Sequence, residues 1–134
     1  GKPGADRISG YGINLLDATQ DFPVAADGPD AIWMSQFLDC FSMDQIVGIL
    51  RRARKAMKDN TRIYIMETLW DRQKYEPATL CLTLTSLYFA AMANGNSKMY
   101  NTEDMEHCIT EAGLTVEAIH DHLGQGHSII VVRK

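Results

Sequence analysis

The sequence predicts an α/β fold: a mostly parallel sheet that closes with an antiparallel hairpin. Three observations carry this expectation. Short apolar runs of strand length alternate with helix-period segments, the helical segments bring their own start and stop signals, and the tail holds two strand-like runs joined through Gly124-Gln125-Gly126.

Taken in order, residues 7–16 read as a short strand that ends at Asp17. Asp21, Pro23, Asp27, Gly28 and Pro29 mark the loop behind it. Residues 31–37 form a continuous apolar run, the pattern of a strand covered on both faces. Ser42-Met43-Asp44-Gln45 has the spacing of a capping box, and Ile46, Ile49, Leu50, Ala53 and Met57 follow at helical intervals. Arg51, Arg52, Arg54, Lys55 and Lys58 crowd the end of that helix, where its dipole favours cations, and read as a solvated face. Asp59-Asn60 is a turn, and residues 62–67 are the next strand.

A second helix starts at Pro77, a good first-turn residue, and runs to about residue 93. Apolar residues, Leu80, Leu84, Leu87, Tyr88 and Ala91 among them, surround most of its circumference. That pattern predicts burial on more than one side, under further structure or in a dimer. Asn94-Gly95-Asn96 stops it. A third helix opens on Asn101 as cap, with Asp104 three residues later, and ends at Gly113. The closing strands are residues 114–120 and 128–133, and their short connection makes them antiparallel neighbours.

Composition narrows the function classes. The net charge of -4 includes no basic run, which argues against a nucleic-acid partner or an anionic membrane surface. No apolar stretch reaches the roughly 18 residues of a membrane span; the best candidate, residues 80–93, is broken by Thr83, Thr85 and Ser86. No apolar core follows Gly1-Lys2-Pro3-Gly4, so no signal peptide is read there. Cys40, Cys81 and Cys108, an odd set at unrelated spacings, fit reduced thiols in a cytoplasmic protein. His120 and His122 alternate on one side of a strand but lack a third ligand, so no metal site is expected. Residues 1–134 read as part of one domain.

Ligands of open parallel sheets sit beyond the carboxyl ends of the strands. That rule singles out Asp17 after the first strand, Asp39 after the second and Glu67 at the end of the third. Neighbouring strands lie about 4.8 Å apart, so two such acids can share a pocket. Shared away from water, repulsion and desolvation raise a carboxyl pKa toward the range of a base at neutral pH. The other reading is that each acid caps a following helix or faces solvent.

Asp17-Ala18-Thr19-Gln20-Asp21-Phe22-Pro23, the run from Asp30 to Ser42, Ile49-Leu50 and Ile63-Tyr64-Ile65-Met66-Glu67 resemble the second half of small-molecule O-methyltransferases. The likeness is to the plant phenolic and hydroxyindole group and its bacterial relatives; Asn94 to Lys98 and Glu111 to Leu114 continue it. The resemblance implies a Rossmann-like methyltransferase sheet, S-adenosylmethionine as cofactor, a small aromatic hydroxylated substrate and a homodimer in the complete protein. It implies that Asp17 accepts a hydrogen bond from the adenine amino group, that Ala18 lies beside the ring, and that Ser35 stands where a lysine near the cofactor is usual. Asp39 stands in place of the histidine base, Cys40 of the aspartate after it, Phe41 of a tryptophan and Met99 of a further glutamate. Glu67 matches the acid that steadies the histidine, and Gln36, Phe37, Met92 and Asn94 fall on the substrate wall.

The aspartate changes the chemistry. A phenol with a pKa near 10 gives its proton to an ordinary aspartate at a cost of about 8 kcal/mol. Asp39 is therefore a base for a more acidic substrate, a group that orients a hydroxyl or amine, or the acceptor of a ring proton in C-methylation. A further departure is the glycine-rich turn that holds such a cofactor, since Gly10-Tyr11-Gly12 lies inside a strand-like run with no helix after it. The expectation is a C-terminal part of a methyltransferase domain, truncated on its N-terminal side and inactive alone. The competing class is a non-catalytic α/β binding or assembly domain.

Overall fold

A computed structural model describes residues 2–24, 26–93 and 95–134. Its strands are β1 (Ala31–Ser35), β2 (Arg62–Glu67), β3 (Thr115–Leu123) and β4 (His127–Arg133); its helices are α1 (Met43–Ala56), α2 (Glu76–Met92) and α3 (Thr102–Glu111). The four strands form one sheet in the order β1-β2-β4-β3. β1 and β2 pair in parallel, with Ser35 opposite Met66, while β4 pairs antiparallel with both β2 and β3. Three strands thus run in one direction and β4 alone runs against them, which is the expected α/β arrangement.

The helix boundaries follow their caps. The Ser42 side chain accepts from the Gln45 N–H, and the Gln45 side chain accepts from the Ser42 N–H, so the capping box at the start of α1 is complete. Asn101 caps α3 by accepting from the Asp104 N–H at 2.7 Å. Gly113 ends that helix at φ 76°, a left-handed conformation that glycine adopts without a Cβ penalty. Ile46, Leu50 and Ala53 of α1, Met105 and Ile109 of α3, Ile63 and Ile65 of β2, and Ile130 and Val132 of β4 are wholly buried in one core.

Three expectations require correction. Residues 8–24 form no strand; they follow a short 3-10 turn, Ala5–Arg7, as irregular backbone and turns. A strand needs a partner edge and a face to bury, yet Ile8 and Tyr11 stand 79% and 74% exposed and two glycines interrupt the run. Asp17 therefore ends a turn, not a strand. β1 is covered on one face only: Met34 joins the core, while Trp33 on the opposite face is 57% exposed. α2 has no buried residue among those of its span, and Leu80, Leu84, Leu87, Tyr88 and Met92 are all exposed, so the cover expected from further structure or a dimer does not come from the described residues. The basic cluster of α1 is not uniformly solvated, because Arg52 is buried.

β3 runs to Leu123, beyond its expected end, and carries two register shifts. The second falls between His120 and Leu123, where His122 takes a positive φ of 59°, and both histidines are exposed. Among the described residues, no helix is long and apolar enough to cross a membrane.

Candidate functional site

The site forms where β1 and β2 end together. Past Ser35 the chain turns at Gln36 (φ 47°), whose N–H still donates to the Met66 carbonyl at 2.9 Å. This turn aims the next two amides at the last residue of β2. The Phe37 and Leu38 N–H groups donate to Glu67 Oε1 at 2.9 and 2.8 Å. Glu67 thereby caps the 3-10 turn Leu38–Cys40 that carries Asp39. Its second oxygen, Oε2, is buried and has no hydrogen-bond partner among the described residues.

Burial dominates the electrostatics of Glu67. Desolvation pushes its carboxyl from the ordinary 4.5 to about 7, against the pull of the Phe37 and Leu38 amides, and the Asp39 charge adds to the rise. Asp39 is half-buried, and its own desolvation raises its pKa; the Cys40 thiol, donating to Asp39 Oδ1 at 3.6 Å, offsets part of that. The Cys40 thiol is raised in turn, first by burial and then by the Asp39 charge. The result is a pair of acids that hold protons more tightly than free carboxyls do.

Residues 97–100 lie against this turn. The Lys98 N–H donates to the Asp39 carbonyl at 3.1 Å, and the buried Tyr100 donates its hydroxyl to the Phe41 carbonyl at 2.6 Å. Phe37 and Phe41 meet edge to face with centroids 5.0 Å apart. Met99 accepts a weak contact from the Thr68 hydroxyl through its sulfur, and its N–H donates to Ser86 of α2.

The structure brings Asp39, Glu67, Gln36 and Phe37 together. Ser35 lines a cavity of about 610 Å³ along the outer edge of β1 with Phe22, Trp33 and Phe37; Asp39 and Glu67 do not line it. Ala18 borders a separate recess of about 240 Å³ between the 15–18 turn and α1. Met92 is exposed at the end of α2, and Asn94 lies outside the described residues. Asp17 sits in a surface turn. Its Oδ1 accepts from the Thr19 hydroxyl at 2.6 Å and the Thr19 N–H at 3.0 Å, and its Oδ2 accepts from Gln20 at 2.8 Å. These bonds, led by the Thr19 hydroxyl, hold its carboxyl below the usual range.

Two side-chain networks escaped the sequence reading. Arg52 donates to the carbonyls of Leu15, Asp17 and Gln20. Arg72 donates twice to Asp121 at 2.6 Å, with Ser128 adding a third bond at 2.8 Å, and so ties the turn after β2 to the hairpin.

Residues 18–115 match the family model of the O-methyltransferase domain, and the chain belongs to that family. Among solved structures, mitomycin 7-O-methyltransferase MmcR is similar to 97% of this chain at 22% identity, with a TM-score of 0.78. LepI, in a complex with S-adenosylmethionine, shares 20% identity over 87% of the chain at a TM-score of 0.70. NcsB1, an O-methyltransferase from neocarzinostatin biosynthesis solved with S-adenosyl-L-homocysteine and 1,4-dihydroxy-2-naphthoic acid, shares 18% over 87% at 0.65. At these identities the likeness establishes the fold. The chain spans 35% of the MmcR chain, 28% of LepI and 32% of NcsB1. No curated protein sequence matches it.

Proposed function

We propose that these residues form the substrate-side part of an S-adenosylmethionine-dependent O-methyltransferase acting on a small aromatic hydroxylated molecule. Family membership and the fold support the reaction class. The single observation that carries the site is Glu67: buried at a strand end beside Asp39, amide-bound through one oxygen, with the other oxygen unpartnered among the described residues.

Asp39 is the group that takes the hydrogen bond of the substrate hydroxyl. Its raised pKa and that of Glu67 disfavour a phenolate arriving already charged and favour a neutral O–H donor. Asp39 holds the oxygen and receives its proton as the O–H bond breaks, and Glu67 holds the turn that carries Asp39. Gln36 and Phe37, with Met92 from the end of α2, serve as the wall against the ring in this reading. A bound S-adenosylmethionine supplies an electrophilic methyl group on a sulfonium.

Asp17, Ala18 and Ser35 serve the cofactor in this reading. A carboxylate offers roughly four acceptor positions, and Asp17 uses three within its turn. One remains for an amino N–H, so the residue fits an aminopurine. No glycine-rich turn between a strand and a helix occurs among the described residues. The activity is therefore proposed for the full-length protein, and the chain alone is expected to be inactive. The exposed apolar side of α2 supports a homodimer there, and the reduced Cys81 and Cys108 support a cytoplasmic location.

Asp39→Asn tests the role. General acid–base catalysis contributes about 10²- to 10⁴-fold, so kcat is expected to fall at least about a hundredfold with little change in cofactor affinity. Unchanged turnover rules Asp39 out as proton acceptor. A product methylated on ring carbon would assign the reaction to C-methylation.

A further inference from the structure

The basic end of α1 is built as a clamp. Arg52 is only 9% exposed, an unusual state for a charged side chain on a helix surface. Its Nη1 donates to the Asp17 carbonyl at 2.9 Å and to the Gln20 carbonyl at 3.0 Å, while Nη2 donates to the Leu15 carbonyl. The guanidinium lies 5.3 Å from the centre of the Phe22 ring. One turn later, Lys55 binds both oxygens of Asp21 at 2.9 and 2.7 Å, and beyond the helix end Lys58 binds Asp30 at 2.7 Å. Cations at three-residue spacing thus fasten the segment that leads into β1.

The Arg52 bonds differ from the lysine ion pairs in kind. They go to backbone carbonyls, and three carbonyls pointing at one place repel each other unless a cation lies between them. A planar fork reaches acceptors on both sides; a lysine ammonium is a point charge and spans them poorly. The bound carbonyls belong to the turn whose side chains hold the Asp17 carboxylate, through Thr19 and Gln20. Arg52 also lines the recess beside Ala18.

We infer that Arg52 is a positioning residue for the adenine end of the cofactor site: by binding the Leu15, Asp17 and Gln20 carbonyls it fixes the turn that presents Asp17 and Ala18 to an aminopurine. The inference rests on the cofactor role proposed above for Asp17. It assigns function to a side chain that charge patterning alone places on a solvated face.

The test uses the full-length protein, with S-adenosylhomocysteine as the probe. In Arg52→Lys, hydrogen exchange at the amides of residues 15–20 is expected to speed up. A turn that is competent one-tenth of the time weakens affinity about tenfold, so the dissociation constant should rise by about that factor while kcat at saturating cofactor stays within about twofold. Arg54→Gln is the control, since Arg54 also binds a backbone carbonyl, that of Gly113, away from the turn. It should leave both readouts unchanged even if stability falls. In an Asp17→Asn background, Arg52→Lys should add little further loss, because Arg52 acts through that turn.

Loosened exchange with unchanged affinity overturns the inference alone, as does full additivity with Asp17→Asn. Equal weakening by Arg54→Gln overturns it as well. Absence of binding by the wild-type protein overturns both the inference and the cofactor reading beneath it, and the exchange data still show whether Arg52 holds the turn.

Discussion

Replacing Glu67 by glutamine should flatten part of the pH dependence of folding. In the folded chain the Glu67 carboxyl is pushed from 4.5 to about 7, chiefly by burial. The folded state therefore binds this proton more tightly than the unfolded state. Its contribution to stability is fully present below pH 4.5 and is lost as the pH rises through about 7. At 1.36 kcal/mol for each pKa unit, the loss across that window is about 3 kcal/mol. Glutamine mimics the protonated acid: its carbonyl can accept from the Phe37 and Leu38 amides, as Oε1 does now. It does not titrate. Asp39 is raised chiefly by its own desolvation and contributes a slope of the same sign to both proteins, which largely cancels in the comparison. Urea denaturation at pH values from 4.5 to 8, followed by circular dichroism, gives the two stability curves. The difference between wild type and Glu67→Gln should change by about 3 kcal/mol in favour of the variant as the pH rises. Parallel curves would refute the assignment of a tightly held proton to Glu67.

Two substitutions separate the core from the open helix. Ile65→Ala empties a fully buried position in β2 and should cost about 2–5 kcal/mol in denaturant unfolding. Leu84→Ser on α2 removes a side chain that is 55% exposed and should change the stability of the chain by no more than about 0.5 kcal/mol. A large loss at Leu84 would show that the α2 face is covered within the chain itself.

Much of the site was legible because periodicity and caps place strand ends well. The capping box at Ser42 and the turn at Asp59-Asn60 bracket α1, so Glu67 had to end the strand after it, and Asp39 had to lie in the connection before it. The same local reasoning failed at residues 7–16. Ile8, Tyr11 and Leu16 have strand-like chemistry, but among the described residues no strand edge pairs with them and they stay exposed. Trp33 failed in the same way, since an apolar run shows that a strand prefers two covered faces and not what covers them. Arg52 was missed because adjacent cations were read as one group. On a helix, Arg52 lies three residues after the buried Ile49, at the margin of the apolar stripe, whereas Arg51 faces away. That spacing was available in the sequence. The three carbonyls it binds were not, because they belong to an irregular turn.

The most direct test of the account is transfer of an isotopically labelled methyl group from S-adenosylmethionine by the full-length protein, offered a panel of small hydroxylated aromatics, with the site of the label read by mass spectrometry and NMR. The account predicts label on a hydroxyl oxygen of at least one compound and loss of that product in Asp39→Asn. Absence of both cofactor binding and transfer would contradict the enzyme reading, and equal product from wild type and Asp39→Asn would contradict the site.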